Sequence, residues 1–150
     1  MIKNVENFTA IVARKELKIK EIFKFSEKTY PKMLASIEEN GLKIVGKPTF
    51  ISYNRDGTLD KVFEHEICIP VSKSKNYSGS FEIKVYETFK CVAKRFDGTI
   101  NQILINGIPE VLNEAEEKNE ILTNEMREVY YEWHKPRSKK NVVELQFGLK

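Results

Sequence analysis

The order strand, helix, strand, strand occurs twice along this chain, and an internal repeat of about 70 residues restricts the architecture more than any other feature. A unit of that length present only twice is too long for a solenoid. It predicts an α+β fold: an antiparallel sheet built from two pseudo-symmetric halves, with both helices on one face and a central cleft. In the first copy, residues 8–19 (FTAIVARKELKI) are rich in β-formers and keep a solvated face. Ser26 then offers an N-cap, and Tyr30, Met33, Leu34 and Ile37 recur at helical spacing before Gly41 supplies a left-handed stop. Pro31 is assigned to the first turn or so, where a missing N–H is tolerated. Residues 48–53 and 62–71 form a hairpin around Asn54-Arg55-Asp56-Gly57, and residues 72–80 (SKSKNYSGS) are polar, aperiodic and linker-like.

In the second copy, residues 81–96 alternate as a long strand with a break near Glu87-Thr88. Thr99 caps a helix whose apolar stripe is Ile100, Ile103, Leu104, Gly107, Ile108, Val111, Leu112 and Ala115, with Pro109 off the stripe. Residues 126–133 and 141–149 are the last strands, separated by a basic loop. Both copies carry a Glu ahead of three apolar or aromatic residues, Glu66-Ile67-Cys68-Ile69 and Glu128-Val129-Tyr130-Tyr131, which aligns Glu66 with Glu128. The expected organisation is one domain over residues 1–150, with repeat one at 8–71, a linker at 72–80 and repeat two at 81–150.

Composition narrows the function classes. With 25 Lys+Arg against 22 Asp+Glu, net +3, and only 5 of the basic residues Arg, direct nucleic-acid contact is not expected. No run approaches the ~18 apolar residues of a membrane span and the Met1 region has no apolar signal core, so the expectation is a cytoplasmic protein with no membrane partner. Cys68 and Cys91 lie in apolar strand runs without CxxC spacing and read as buried, reduced thiols, which leaves no cysteine nucleophile. His65 points away from Glu64 and Glu66 in a strand, and His134 has no acidic or cysteine neighbour at ligand spacing, so no metal is expected. Residues 54–60 lack the closing Glu of a calcium loop, and no phosphate-binding or nucleophile-elbow motif is present, so no cofactor is expected. Residues 135–140 read as a solvated hairpin loop, with contact to phosphate or an acidic partner as the alternative.

The run FEIKVYETFKCVAKRFDGT, the amphipathic helix after it, then REVYYEW and NVVELQFGL resemble the second half of the GyrI-like small-molecule-binding domain. That domain is also the effector-binding domain of bacterial transcription activators. GLKIVGKPTFISYNRDG and HEICIPV resemble its first half, so the likeness covers about residues 8–150. The resemblance implies a ligand cleft at the pseudo-twofold, where a glutamate among aromatic rings receives cationic amphipathic compounds; the Glu-x-Tyr motif falls here at Glu128 and Tyr130. The regulators of the family carry a helix-turn-helix domain ahead of this one, whereas this chain begins at the first strand, which is read as a stand-alone form.

Strand alternation places Tyr130 on the face of Glu128, and an aromatic box with one carboxylate suits a delocalised organic cation. On a buried face the carboxyl is expected to titrate upward unless donors compensate; the other reading is a strand glutamate facing water. Tyr53 either lines the cleft or is a half-buried core tyrosine, and Glu66 is either a second cleft acid or a surface position. Trp133 is a packing or a ligand-facing residue, out of phase with Tyr130 unless a bulge intervenes. The resulting expectation is binding of a hydrophobic, cationic small molecule in transcription or drug response, by a monomer or weak homodimer, with a DNA-binding regulator as protein partner. Two alternatives stand beside it: a cofactor-independent hydrolase of cyclopropane-bearing or other electrophilic compounds, with Glu128 as base and Tyr130 polarising the leaving group, and a protein inhibitor resembling the family's gyrase-inhibitory namesake.

Overall fold

The computed structural model describes residues 1–74 and 76–150; Lys75, inside the expected linker, lies outside the described residues. The elements are β1 (Ile2–Val5), β2 (Phe8–Leu17), a 3-10 turn at Ile19–Glu21, α1 (Ile22–Glu39), β3 (Thr49–Tyr53), β4 (Phe63–Pro70), β5 (Glu82–Tyr86), β6 (Phe89–Gly98), α2 (Ile100–Glu117), β7 (Leu122–Glu132) and β8 (Asn141–Leu149). They form two compact units, one of Asn7–Glu87 and one of Met1–Glu6 with Thr88–Lys150. Within the first, the strands run β3-β4-β2-β5; within the second, β1-β6-β8-β7; every pairing inside a unit is antiparallel. Each unit is therefore strand, helix, strand, strand with one further edge strand: β5, whose residues were expected as the start of the long strand of repeat two, falls in the unit of Asn7–Glu87, and β1, which the repeat did not include, falls in the other.

Alternation along the strands sorts side chains between two faces. In the unit of Asn7–Glu87, Ile11 and Ala13 of β2 and Ile67 and Ile69 of β4 meet Met33 and Ile37 of α1, while Ala10, Val12, Ile51, Cys68 and Tyr86 cluster on the helix-free face. In the other unit, Val92, Met126, Val143, Leu145 and Leu149 meet Ile103, Val111 and Ala115 of α2, and Phe89, Cys91 and Ala93 lie on the opposite face. Gly107 lets α2 lie close to the sheet, since an added Cβ would stand 2.8 Å from Leu145 and 3.0 Å from Phe96 and would force those side chains to shift. Both cysteines are buried and free, and burial pushes the Cys91 thiol up to about 11. No described helix is long and apolar enough to cross a membrane.

The helices are duplicates in detail. Each has 18 residues with a proline at its tenth position, Pro31 or Pro109. Each ends in the same pair of closing bonds: Gly41 N–H to Glu38 (3.1 Å) and Leu42 N–H to Ile37 (3.0 Å), and Asn119 N–H to Glu116 (3.0 Å) and Glu120 N–H to Ala115 (3.0 Å). The residue in the left-handed region is Gly41 (φ 64°) in one and Asn119 (φ 55°) in the other, the two residue types that tolerate it best. The start of α1 differs from expectation: Ser26 lies inside the helix, and Pro31 sits in its middle rather than its first turn. The turn Ile19–Glu21 leads directly into α1, so no side-chain cap is needed at Ser26. At α2 the expected cap is present, Thr99 Oγ1 accepting from Gln102 N–H (3.2 Å) while Gln102 Oε1 accepts from Thr99 N–H (3.2 Å). Thr99→Ala should lower the unfolding free energy by about 1 kcal/mol in denaturant titration, without changing the far-ultraviolet spectrum of the folded state.

Candidate functional site

The strand registers first correct the internal alignment. Arg14 of β2 stands opposite Glu66 of β4, and Arg95 of β6 stands opposite Glu144 of β8. Four residues before each arginine, Ala10 faces Lys84 and Cys91 faces Lys3. Ile51 opposite Glu66 is followed two residues later by Tyr53; Val129 opposite Glu144 is followed two residues later by Tyr131. The counterpart of Glu66 is thus Glu144, not Glu128, and the counterpart of Glu128, which faces Leu145, is Phe50, which faces Ile67. The short Glu-led motif matched strands that occupy different places in their sheets.

On the helix-free face of the Asn7–Glu87 unit, Glu66 is wholly buried and surrounded by donors. Its Oε1 accepts from the hydroxyls of Tyr53 (3.0 Å) and Tyr86 (2.9 Å), and its Oε2 accepts from Arg14 (2.9 Å) and Lys84 (3.2 Å). Arg14 also reaches Glu82 (3.2 Å) and Glu64 (3.4 Å), and Lys84 stands 4.6 Å from the centre of the Tyr86 ring, which stacks on Phe8. Burial alone would raise the Glu66 carboxyl, but hydrogen bonds from Tyr86 and Lys84, the Lys84 charge and the Tyr53 hydroxyl hold it below the usual carboxylate value. Tyr86 moves the other way, its hydroxyl raised by burial and by the neighbouring acids. Tyr53 and Glu66, both expected at a site, are brought together here.

The other unit repeats this with fewer donors. Glu144 accepts from Lys3 and from Tyr131 Oη (3.0 Å), and Arg95 lies 3.6 Å over the Tyr131 ring. Val5 stands at the place of Tyr86, so that hydroxyl is missing. Buried Arg127 covers the ring of Phe89 at 3.7 Å and pairs with Glu125.

Glu128 belongs to the opposite face of that unit. Register places it beside Leu145, between Met126 and Tyr130, on the side that packs against α2. Its side chain is buried, with only 3% exposed, and its Oε1 accepts from the Tyr130 hydroxyl (3.2 Å). A register shift between Tyr130 and Glu132 changes the phase of the strand, and Trp133 meets Tyr130 edge-on at 5.5 Å while remaining 43% exposed. The chain after Trp133 is fixed by Asn141, which accepts from His134 N–H (2.8 Å) and donates to the carbonyls of Lys135 (2.7 Å) and Ser138 (3.1 Å); the Pro136 carbonyl accepts from Ile100 N–H (2.9 Å) at the start of α2. The basic loop is therefore a tied hairpin that holds Trp133 in place.

On the α1 face of the Asn7–Glu87 unit, His65 is wholly buried among the ring edges of Phe25, Phe50 and Phe63, at 5.3 to 6.4 Å, with Ser52 Oγ 3.2 Å from its Nδ1. Its Nε2 has no hydrogen-bond partner among the described residues. Burial, with the charge of Arg55, lowers its pKa to about 3 and keeps the ring neutral. No group of three or more His, Cys, Asp or Glu among the described residues could hold a metal ion.

No protein-family model and no curated protein matches the chain. Solved structures do. The EcmrR C-terminal domain matches 100% of this chain and 96% of its own at a TM-score of 0.79 and 21% identity. The chain has the fold of that domain. In the structure of EcmrR with DNA in EcmrR-RPo, the match is again 0.79 at 20% identity, and the chain spans 56% of that protein. SAV2435 bound to tetraphenylphosphonium matches at 0.72 and 12% identity over 100% of this chain and 93% of its own. A hydrolase of Listeria innocua matches at 0.65 and 9% identity over 99% and 91%. These likenesses agree at the level of fold with the GyrI-like resemblance of the sequence.

Glu66→Gln should destabilise the protein by about 2–3 kcal/mol, below the ~3–5 kcal/mol of a fully enclosed pair because Arg14 and Lys84 are partly exposed and can rehydrate. Because the folded carboxyl lies below its ordinary 4.5, its contribution is complete above that value and is lost as the pH falls through the carboxylate range. The gap between wild type and variant in denaturant midpoint should therefore close on acidification below that value. His65 is a base held below its ordinary 6.5, so stability drains away as the pH falls from 6.5 toward 3, by up to about 1.4 kcal/mol per pH unit. His65→Phe should flatten the stability profile across that window.

Proposed function

We propose that this chain is an effector-binding module for hydrophobic organic cations, with Glu128 supplying the countercharge and Tyr130 and Trp133 supplying ring surface. The observation that carries the reading is the position of Glu128: a carboxylate almost wholly removed from water, beside a tyrosine that meets the one tryptophan edge-on. A cation approaching such a group meets a negative charge screened little by solvent, together with ring faces that attract positive charge. Glu66 has Arg14 and Lys84 as countercharges, so a ligand at that acid would have to displace both. The fold shared with SAV2435, solved bound to tetraphenylphosphonium, supports the ligand class, and the fold shared with EcmrR, solved with DNA, supports a sensor role exercised with a DNA-binding partner. On this reading the binding requires no cofactor, and the protein acts in the cytoplasm in response to drugs or similar compounds.

The hydrogen bond from Tyr130 to Glu128 also fits the hydrolase reading, with Glu128 as base and the tyrosine hydroxyl as polarising donor. One titration separates the two. Tetraphenylphosphonium should quench Trp133 fluorescence saturably, Glu128→Gln should weaken that binding about 10- to 100-fold as expected for loss of a charge-assisted contact, and the compound should be recovered unchanged. Equal affinity in the variant would overturn the role of Glu128, and turnover of an electrophilic substrate that stops in the variant would favour the enzyme.

A further inference from the structure

The Asn7–Glu87 unit carries an open, groove-like cavity of about 480 Å³ whose lining does not include Glu128. Its origin is a mismatch of strand lengths. β2 continues to Leu17, but β5 begins at Glu82 opposite Val12, so the rest of β2 has no β5 neighbour on that side, and residues of α1 border the space. The volume falls within the ~300–1,000 Å³ of small-molecule sites.

Its lining has a definite chemistry. Phe25, Thr29 and Lys32 project from one face of α1, while Ser80 and Phe81 close the other side. Phe25 and Phe81 are partly buried against the α1 core, which fixes two ring walls without the cavity having to order them. Arg14 and Glu82 at the rim pair at 3.2 Å, and Arg14 is shared further with Glu66 and Glu64. Lys32 forms no ion pair or hydrogen bond among the described residues. Lys15, 5.7 Å from the Phe25 ring centre, adds a second positive charge on the same side. The lining offers two aromatic walls, two hydroxyls and an uncommitted ammonium, with the Arg14–Glu82 pair at its rim.

We propose that this cavity binds a small aromatic carboxylate, the ring seated between Phe25 and Phe81 and the anionic group placed on the Lys32 ammonium and the hydroxyls of Thr29 and Ser80. The ammonium acts as a point charge that accepts an anion without strict geometry, and the hydroxyls donate to it. The chain would then hold two ligands of opposite charge at separate positions, one on α1 and one beside α2.

The full chain titrated with 2-naphthoate tests this, with 2-naphthalenemethanol as the neutral analogue and tetraphenylphosphonium as the reporter of the Glu128 site. Saturable naphthoate binding is expected, at least tenfold tighter than the alcohol and weakened at least tenfold by Lys32→Glu, an exposed position that leaves the core untouched. Tetraphenylphosphonium affinity should be unchanged in Lys32→Glu, and naphthoate affinity unchanged in Glu128→Gln, so either reading can fail alone. Equal naphthoate binding by wild type and Lys32→Glu, equal affinity for the acid and the alcohol, or no saturation at millimolar naphthoate would each overturn the proposal.

Discussion

In the Asn7–Glu87 unit, all four strands meet at one carboxylate. Glu66 lies on β4, and its donors come from β2 (Arg14), β3 (Tyr53) and β5 (Lys84 and Tyr86). Removing a carboxylate from water costs several kcal/mol unless its lone pairs are filled and its charge is matched, and both conditions hold only when the four strands are in this register. A slip of one residue would carry every partner to the other face. The ion cluster is thus a register lock. It also covers a face that no helix shields, because Lys84, Tyr86 and Phe8 lie over apolar atoms that would otherwise be wet.

The second unit keeps this plan with different weights. Glu144 on β8 again draws on all the strands of its unit, through Lys3 of β1, Tyr131 of β7 and the Arg95 of β6 that stacks on that ring. Where Arg14 grips its carboxylate directly, Arg95 reaches the acid only through the tyrosine. The same four residue types at the same register positions make the two units pseudo-symmetric in their side chains as well as in their strands. They also explain why a four-residue edge strand is kept: Lys3 is the cation that Glu144 requires.

Much of the fold could be read from local pattern. The capping pair Thr99 and Gln102 and the stripe from Ile103 to Ala115 define α2, since both signals lie within a few residues of each other. α1 was less legible because Ser26 resembles a cap but follows a 3-10 turn that already begins the helix, and its proline is mid-helix. β1 has only four residues and no alternation, so its strand state depends on a partner, β6, some 90 residues away. The i, i+2 spacing of Glu128 and Tyr130 accounts for the hydrogen bond between them, and the bulge after Tyr130 brings Trp133 to the same ring. The Glu66 cluster was not legible, because its members come together through register across strands rather than through spacing along one.

The corrected equivalence gives the asymmetry of the two units a physical meaning. At the place where the α2 unit has Glu128 and Tyr130, the α1 unit has Phe50 and Ser52. The adjoining positions are Val143 and His65, and the histidine is kept neutral by burial among three phenylalanine edges. Two like faces lie against helices, and one is acidic where the other is aromatic and uncharged. A buried acid on such a face needs partners to offset its desolvation, a cost that a hydrophobic residue of similar size does not carry. Phe50 demonstrates that the position accepts one. The binding role proposed for that face rests on this difference, a carboxylate at Glu128 with a tyrosine hydroxyl directed at it where the other unit places a phenylalanine.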